Sequence, residues 1–187
     1  MVYSLNIFAK TSFCLELRFD PAACGSGLLI SEKNTHLKKT DAVAGHRACR
    51  TLGAGWTQGA HYWSVRIMEK TSQGYIMIGI VSSEFDTSSI QYVGQTTSSY
   101  GFYVVNGHKY HNAAAVRVVP DTDRPNNGDV IGVLLDLDAH TLTYFKNGIQ
   151  LGTAFSQIPP ADNNLKYYPA ISCHEAGNWV SLIKTTK

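Results

Sequence analysis

Short apolar runs separated by turn residues set the pattern of this chain. Short runs of apolar, β-branched and aromatic residues recur over 15–19, 27–31, 61–68, 75–81, 100–105, 130–137, 142–146, 167–172 and 179–183, between turn signals of Gly, Asn, Asp, Ser or Pro. Runs of this length and make-up predict β-strands. Residues 1–10, MVYSLNIFAK, alternate in a way that suggests a further strand at the start. No segment carries the 3.6-residue apolar repeat of an amphipathic helix, so an antiparallel β-sandwich is expected rather than an alternating α/β fold.

The clearest local signal lies in 128–152, GDVIGVLLDLDAHTLTYFKNGIQLG. Its first run, 130–137, is apolar almost throughout, as a strand covered on both faces must be. Asp138, Ala139 and His140 form a polar turn, and Asn147-Gly148 closes the next hairpin because both residues tolerate the positive φ of a type I′ turn.

Composition narrows the function classes. The chain has 187 residues, 44% of them hydrophobic and 16% charged. That is enough apolar content for one ordinary domain over 1–187. A net charge of +2 is too small for the basic footprint of a nucleic-acid or membrane-surface binder, so neither partner is expected. No run approaches the roughly 18 apolar residues of a membrane span. Residues 1–10 lack the parts of a signal peptide. Cys14, Cys24, Cys49 and Cys173 are scattered without CxxC spacing, which suggests free buried thiols, and no Asn-x-Ser/Thr sequon occurs. A cytoplasmic setting is the expectation.

Catalytic and metal motifs find no support. His174-Glu175 begins like a zinc-protease helix, but Asn178 stands where the second His is required. Gly53, Gly55 and Gly59 miss the dinucleotide spacing and precede a strand. Asp121, Asp123, Asn126, Asn127 and Asp129 make an oxygen-rich loop, but Pro125 takes a ligand position and no Glu follows at calcium-loop distance. No enzyme activity, cofactor or metal is expected.

Three dispersed motifs resemble the SPRY domain in its longer B30.2 or PRY-SPRY form. They are Phe19-Asp20-Pro21 with Leu28 to Ser31; Gly59-Ala60-His61-Tyr62-Trp63-Ser64-Val65, in which Ser64 replaces the family's usual Glu; and Leu134 to Asp138 with Thr141 to Gly148 and Tyr168-Pro169-Ala170. The resemblance covers roughly 15–185. It divides the chain into an N-terminal extension or first strand (1–14), a PRY-like part (15–58) and a SPRY core (59–185). It implies a bent sandwich of two antiparallel sheets with concanavalin-like jelly-roll architecture. It also implies a non-catalytic protein-interaction module that binds a short peptide or a folded partner through loops at one end. Such a module sits in a larger multidomain protein, in many relatives beside ubiquitin-ligase machinery.

Three loops are the candidate surface. The segment 38–50, KKTDAVAGHRACR, sets Lys38, Lys39, Arg47 and Arg50 against Asp41. As a basic turn it would suit an acidic peptide, and the resemblance places a peptide-binding connection here. The segment 85–100, FDTSSIQYVGQTTSSY, holds Ile90, Tyr92 and Val93 as its only apolar residues between its ends, a trio expected to be presented to a partner. The resemblance puts a contact tyrosine at Tyr92, beside Val93 and Gly94 and ahead of Tyr100. The loop 173–178 offers Glu175 and Ala176 where relatives carry an apolar or aromatic tip, implying a different ligand. Trp63 reads as core. The competing reading is a lectin-like carbohydrate-binding sandwich, which would need an exposed aromatic platform or calcium held by the 121–129 loop.

Overall fold

The computed structural model describes residues 16–42, 45–118 and 124–184. Two seven-stranded antiparallel sheets face each other. In chain order the strands are β1 (Phe19–Cys24), β2 (Leu28–Ser31), β3 (His36–Lys39), β4 (Arg47–Thr51), β5 (Ala60–Glu69), β6 (Ile76–Ser82), β7 (Ser99–Tyr103), β8 (His108–His111), β9 (Ala114–Arg117), β10 (Val130–Asp136), β11 (Thr141–Lys146), β12 (Ile149–Phe155), β13 (Tyr167–Cys173) and β14 (Trp179–Ile183). One sheet runs β1-β4-β13-β6-β7-β8-β9 and the other β12-β11-β10-β5-β14-β3-β2. Among the described residues no helix is long and apolar enough to cross a membrane.

Side-chain parity explains how the first sheet is built. Successive strand residues point to opposite faces. On β6, Ile76, Ile78 and Ile80 enter the core between the sheets, while Met77 and Val81 join a second cluster with Ala48, Phe85, Val93, Tyr103, Tyr168 and Ala170. Every residue of β6, β7 and β13 is therefore buried, and these strands read as continuous apolar runs. The second cluster forms because the 83–98 connection folds back over the sheet's outer face. Its Val93 is fully buried, and the Val93 amide donates to Ser172 Oγ on β13 at 3.1 Å. A glycine makes room for it. Gly79 and Gly101 pair across β6 and β7, and a Cβ on Gly101 would collide with the Val93 carbonyl.

The predicted hairpins appear where the turn chemistry put them. Asp136 Oδ1 accepts from the amides of Asp138 and Ala139 at 3.0 and 2.8 Å, which folds β10 into β11. Asn147 and Gly148 take φ of 51° and 82° to join β11 to β12. Trp63 is core at 1% exposure. Cys24, Cys49 and Cys173 are free thiols; Cys14 and the strand expected over 1–10 lie outside the described residues.

Other expectations need correction. The strand expected over 15–19 starts at Phe19 instead, and Asp20-Pro21 sits inside β1, where Asp20 Oδ1 caps the Ala22 amide at 2.9 Å and shifts the register. The supposed basic turn at 38–50 carries two strand ends, since β3 runs through Lys39 and β4 begins at Arg47. β9 was also not anticipated, because its apolar run is built on alanine, with a single β-branched residue.

Candidate functional site

An aromatic bowl opens on the outer face of the first sheet. Six rings close a circuit around it, each within the range in which aromatic side chains interact. Tyr103 lies 5.8 Å from Tyr75, Tyr75 5.1 Å from His174, and His174 5.0 Å from His46. His46 is 5.2 Å from Tyr92, Tyr92 5.9 Å from Tyr110, and Tyr110 5.7 Å from Tyr103. Together with Met77 they line a cavity of about 360 Å³, large enough for one or two side chains of a ligand. Met77 is 2% exposed and points outward from β6.

Strand and loop each supply part of the circuit. Tyr103 and Tyr110 stand on paired strands β7 and β8, and Tyr75 sits one residue before β6. His46, Tyr92 and His174 come one each from the three loops singled out in the sequence. Those loops are fixed by polar contacts. Tyr92 is held through its amide, which donates to Gln95 Oε1 at 3.0 Å, and through Gly94, whose amide donates to Ser99 Oγ at 2.9 Å. Gly94 takes φ of 106° and lies against the Tyr110 backbone, an approach that leaves no room for a side chain. The 173–178 loop is tied to β3 by Gly177 N donating to Lys39 O and Lys39 N to Asn178 O, both 2.9 Å. Thr71 Oγ1 donates to Glu175 Oε2, and the Thr71 amide donates to Asn178 Oδ1 at 3.0 Å.

The bowl holds polar atoms without protein partners. His46 Nδ1, His174 Nδ1 and the Tyr103 hydroxyl are buried and make no hydrogen bond. Such atoms are costly to bury unless something satisfies them. Burial, with the His174 ring beside it, takes the His46 pKa down to about 3, so this imidazole is neutral at physiological pH. Burial also raises the Tyr103 and Tyr92 phenols, Tyr103 further because Tyr75, Tyr110 and the Glu175 carboxylate lie near it.

The sequence-derived candidates divide. Tyr92 lines the bowl, Val93 and Gly94 hold it from behind, and Glu175 stands near Tyr103. Ala176 is exposed at the tip of its loop. Tyr100 is not in the bowl. It faces the inter-sheet core at 5% exposure, stacked on His111 at 4.0 Å and edge-on to Phe155 at 5.1 Å. Lys39 is fully buried, its ammonium held by the Asp41 carboxylate and carbonyl. Arg47 is 7% exposed, with its guanidinium on Ser26 Oγ at 3.5 Å and the His46 carbonyl at 3.1 Å. Lys38 is exposed on the other sheet, its Nζ 5.6 Å from the centre of the Trp179 ring. Arg50 lies over the Tyr168 ring at 4.2 Å. Of the loop trio, Ile90 is 64% exposed, Tyr92 half-buried and Val93 buried.

Four lining residues, Tyr75, Tyr103, Tyr110 and Met77, were not singled out in the sequence. Parity would have found two of them, since Met77 and Tyr103 fall on the face opposite Ile76, Ile78 and Phe102. In the oxygen-rich loop, the Asp129 carboxylate is already engaged by the Asn126 amide at 2.9 Å and Asn147 Nδ2 at 2.8 Å, with Lys146 Nζ 3.6 Å away. Asp121 and Asp123 lie outside the described residues. Among the described residues no group of His, Cys, Asp or Glu gathers to hold a metal ion.

The SPRY domain family model matches residues 60–186. The chain is 30% identical over 177 residues to the E3 ubiquitin-protein ligase TRIM9 of Drosophila melanogaster, a match covering 91% of this chain and 22% of that protein. It is 31% identical over 145 residues to human Ran-binding protein 9, covering 78% of this chain and 18% of that protein. The chain thus spans under a quarter of the length of these curated relatives. Among solved structures, the SPRY domain of human HERC1 superposes with a TM-score of 0.74 at 20% identity, covering 90% of this chain and 99% of that one. The TRIM65 PSpry domain gives 0.72 at 18%, covering 93% and 97%.

Proposed function

Because this chain belongs to the SPRY domain family, we propose that it is a non-catalytic interaction module whose aromatic bowl seats a side chain from a short peptide or from a loop of a folded partner. The closed circuit of six rings carries this reading. Tyrosine offers large contact area with few rotatable bonds and a polar tip, which is why it is enriched where binding energy concentrates. The rigid sheet beneath fixes three of the rings and the loops bring the others, so the surface is largely formed before a ligand arrives.

The preference for an acidic ligand rested on Lys38, Lys39, Arg47 and Arg50. Lys39 and Arg47 are satisfied inside the protein, Arg50 lies over Tyr168 and Lys38 over Trp179. An acidic stretch of ligand would meet the exposed Lys38 outside the bowl. The chain matches 22% and 18% of the relatives named above, which supports a place for this module in a larger protein, with a substrate-recognition role for a ubiquitin ligase as the finer expectation from TRIM9.

A peptide array followed by titration of the best binders against wild type and Tyr92→Ala tests the site. Affinity is expected to fall by about tenfold or more, the usual consequence of truncating a buried aromatic anchor. Unchanged affinity for every binder, in a variant that keeps the wild-type fold, would place the binding surface elsewhere.

A further inference from the structure

The rings that form the bowl also have the electrostatics of a cation receptor. Each tyrosine presents a negative π-face, and a cation over such a face within about 6 Å of the ring centre is attracted, more strongly when water is excluded. Tyr75 and Tyr103 lie nearly parallel, 10° apart, while Tyr110 stands at 82° to Tyr103 and 89° to Tyr92. The rings thus stand around the cavity at several angles.

Charge and hydrogen bonding agree with this. Among the described residues no Lys or Arg lines the cavity. The nearest guanidinium, on Arg47, is turned to Ser26 and the His46 carbonyl. The charged group that acts on Tyr103 is the Glu175 carboxylate, held half-buried by Thr71. The Tyr103 oxygen and the Nδ1 atoms of His46 and His174 have no protein partner. A neutral imidazole keeps one acceptor nitrogen, and a phenol oxygen accepts too. A positively charged N–H donor or a methylated ammonium would meet tyrosine rings with no lysine or arginine to repel it, whereas a carboxylate ligand would find only neutral phenol and imidazole donors and no cation to offset its charge.

Resting on the interaction-module reading, we propose that the bowl defined by Tyr75, Tyr92, Tyr103, Tyr110, His46 and His174 captures a cationic side chain of its partner, a lysine, a methylated lysine or an arginine. The ligand is recognised by its positive head group over the tyrosine rings.

NMR titration of the protein with three probes tests this: N-acetyl-trimethyllysine methylamide, the arginine analogue, and the neutral isostere in which carbon replaces the quaternary nitrogen. At least one cationic probe is expected to shift His46, His174 and the bowl tyrosines, binding about tenfold more tightly than the isostere. Tyr75→Ala should weaken that probe by about tenfold, and Tyr92→Phe should keep it within about twofold because the π-face remains. The amide spectrum of Tyr92→Phe reports on folding independently of the truncations. Equal binding of cation and isostere at the bowl would overturn the cation assignment and leave the interaction module standing. If no probe moved the bowl while array peptides without a cationic anchor did, the assignment would again fall alone. Peptides that bind without shifting any bowl residue would remove both readings.

Discussion

Tyr103 shows how one residue can serve the site at the expense of the fold. Its ring is 9% exposed and its hydroxyl has no protein partner. Removing an unsatisfied buried hydroxyl leaves nothing unpaired behind, so Tyr103→Phe is expected to keep or slightly raise the thermal midpoint while lowering ligand affinity several-fold. Tyr144 is the contrasting case. Its fully buried hydroxyl donates across the sandwich to the Ile78 carbonyl at 3.1 Å, tying β11 to β6. Tyr144→Phe should cost about 1–2 kcal/mol in denaturant unfolding because the carbonyl loses its donor. His46 adds a pH signature. Its folded pKa of about 3 lies below the ordinary 6.5, so the unfolded chain takes up the proton first. The stability it contributes is present above pH 6.5 and is lost as the pH falls toward 3. Thermal midpoints measured across that window should decline less steeply in His46→Gln than in wild type.

At the scale of elements, the relation between β7 and the loop above it decides whether the bowl exists. Gly101 leaves the space into which the Val93 carbonyl settles, and Val93 anchors the segment that carries Tyr92. Gly101→Ala would push that loop off the sheet, with an expected loss of about 1–3 kcal/mol and weakened binding at Tyr92, measurable by denaturant melts and by the same peptide titration. This coupling is where the sequence stopped being legible. Strands with unbroken apolar runs, such as β6 and β10, and turns with explicit chemistry, such as Asn147-Gly148, were readable because local physics determines them. β3 and β4 were not, since HLKK and RACRT look like a basic loop. Lys39 is buried at the end of a strand, where Asp41 folds back to meet its ammonium, a contact that periodicity does not reveal. Tyr92 was found by its setting in a polar loop; Tyr100 was misplaced by its position relative to Gly101, because odd and even residues of β7 face opposite sides of the sheet.

Over the whole molecule, the two sheets divide the labour. The second sheet buries its inner face against Ile76, Ile78 and Ile80, and β6, β7 and β13 of the first sheet are buried on both faces, where the 83–98 loop lies over the outer one beside the bowl. The inter-sheet core and the proposed recognition site thereby lie on opposite faces of one sheet. The three loops that looked like candidates in the sequence each contribute one ring to the same cavity, His46, Tyr92 and His174, which a scattered set would not do. The most direct measurement is the map of NMR shifts produced by the tightest array-selected peptide. If the bowl is the binding site, the largest changes fall on His46, Tyr75, Tyr92, Tyr103, Tyr110 and His174, and they vanish in Tyr92→Ala. Shifts confined to the second sheet, around Lys38 and Trp179, with Tyr92→Ala binding as wild type does, would contradict it.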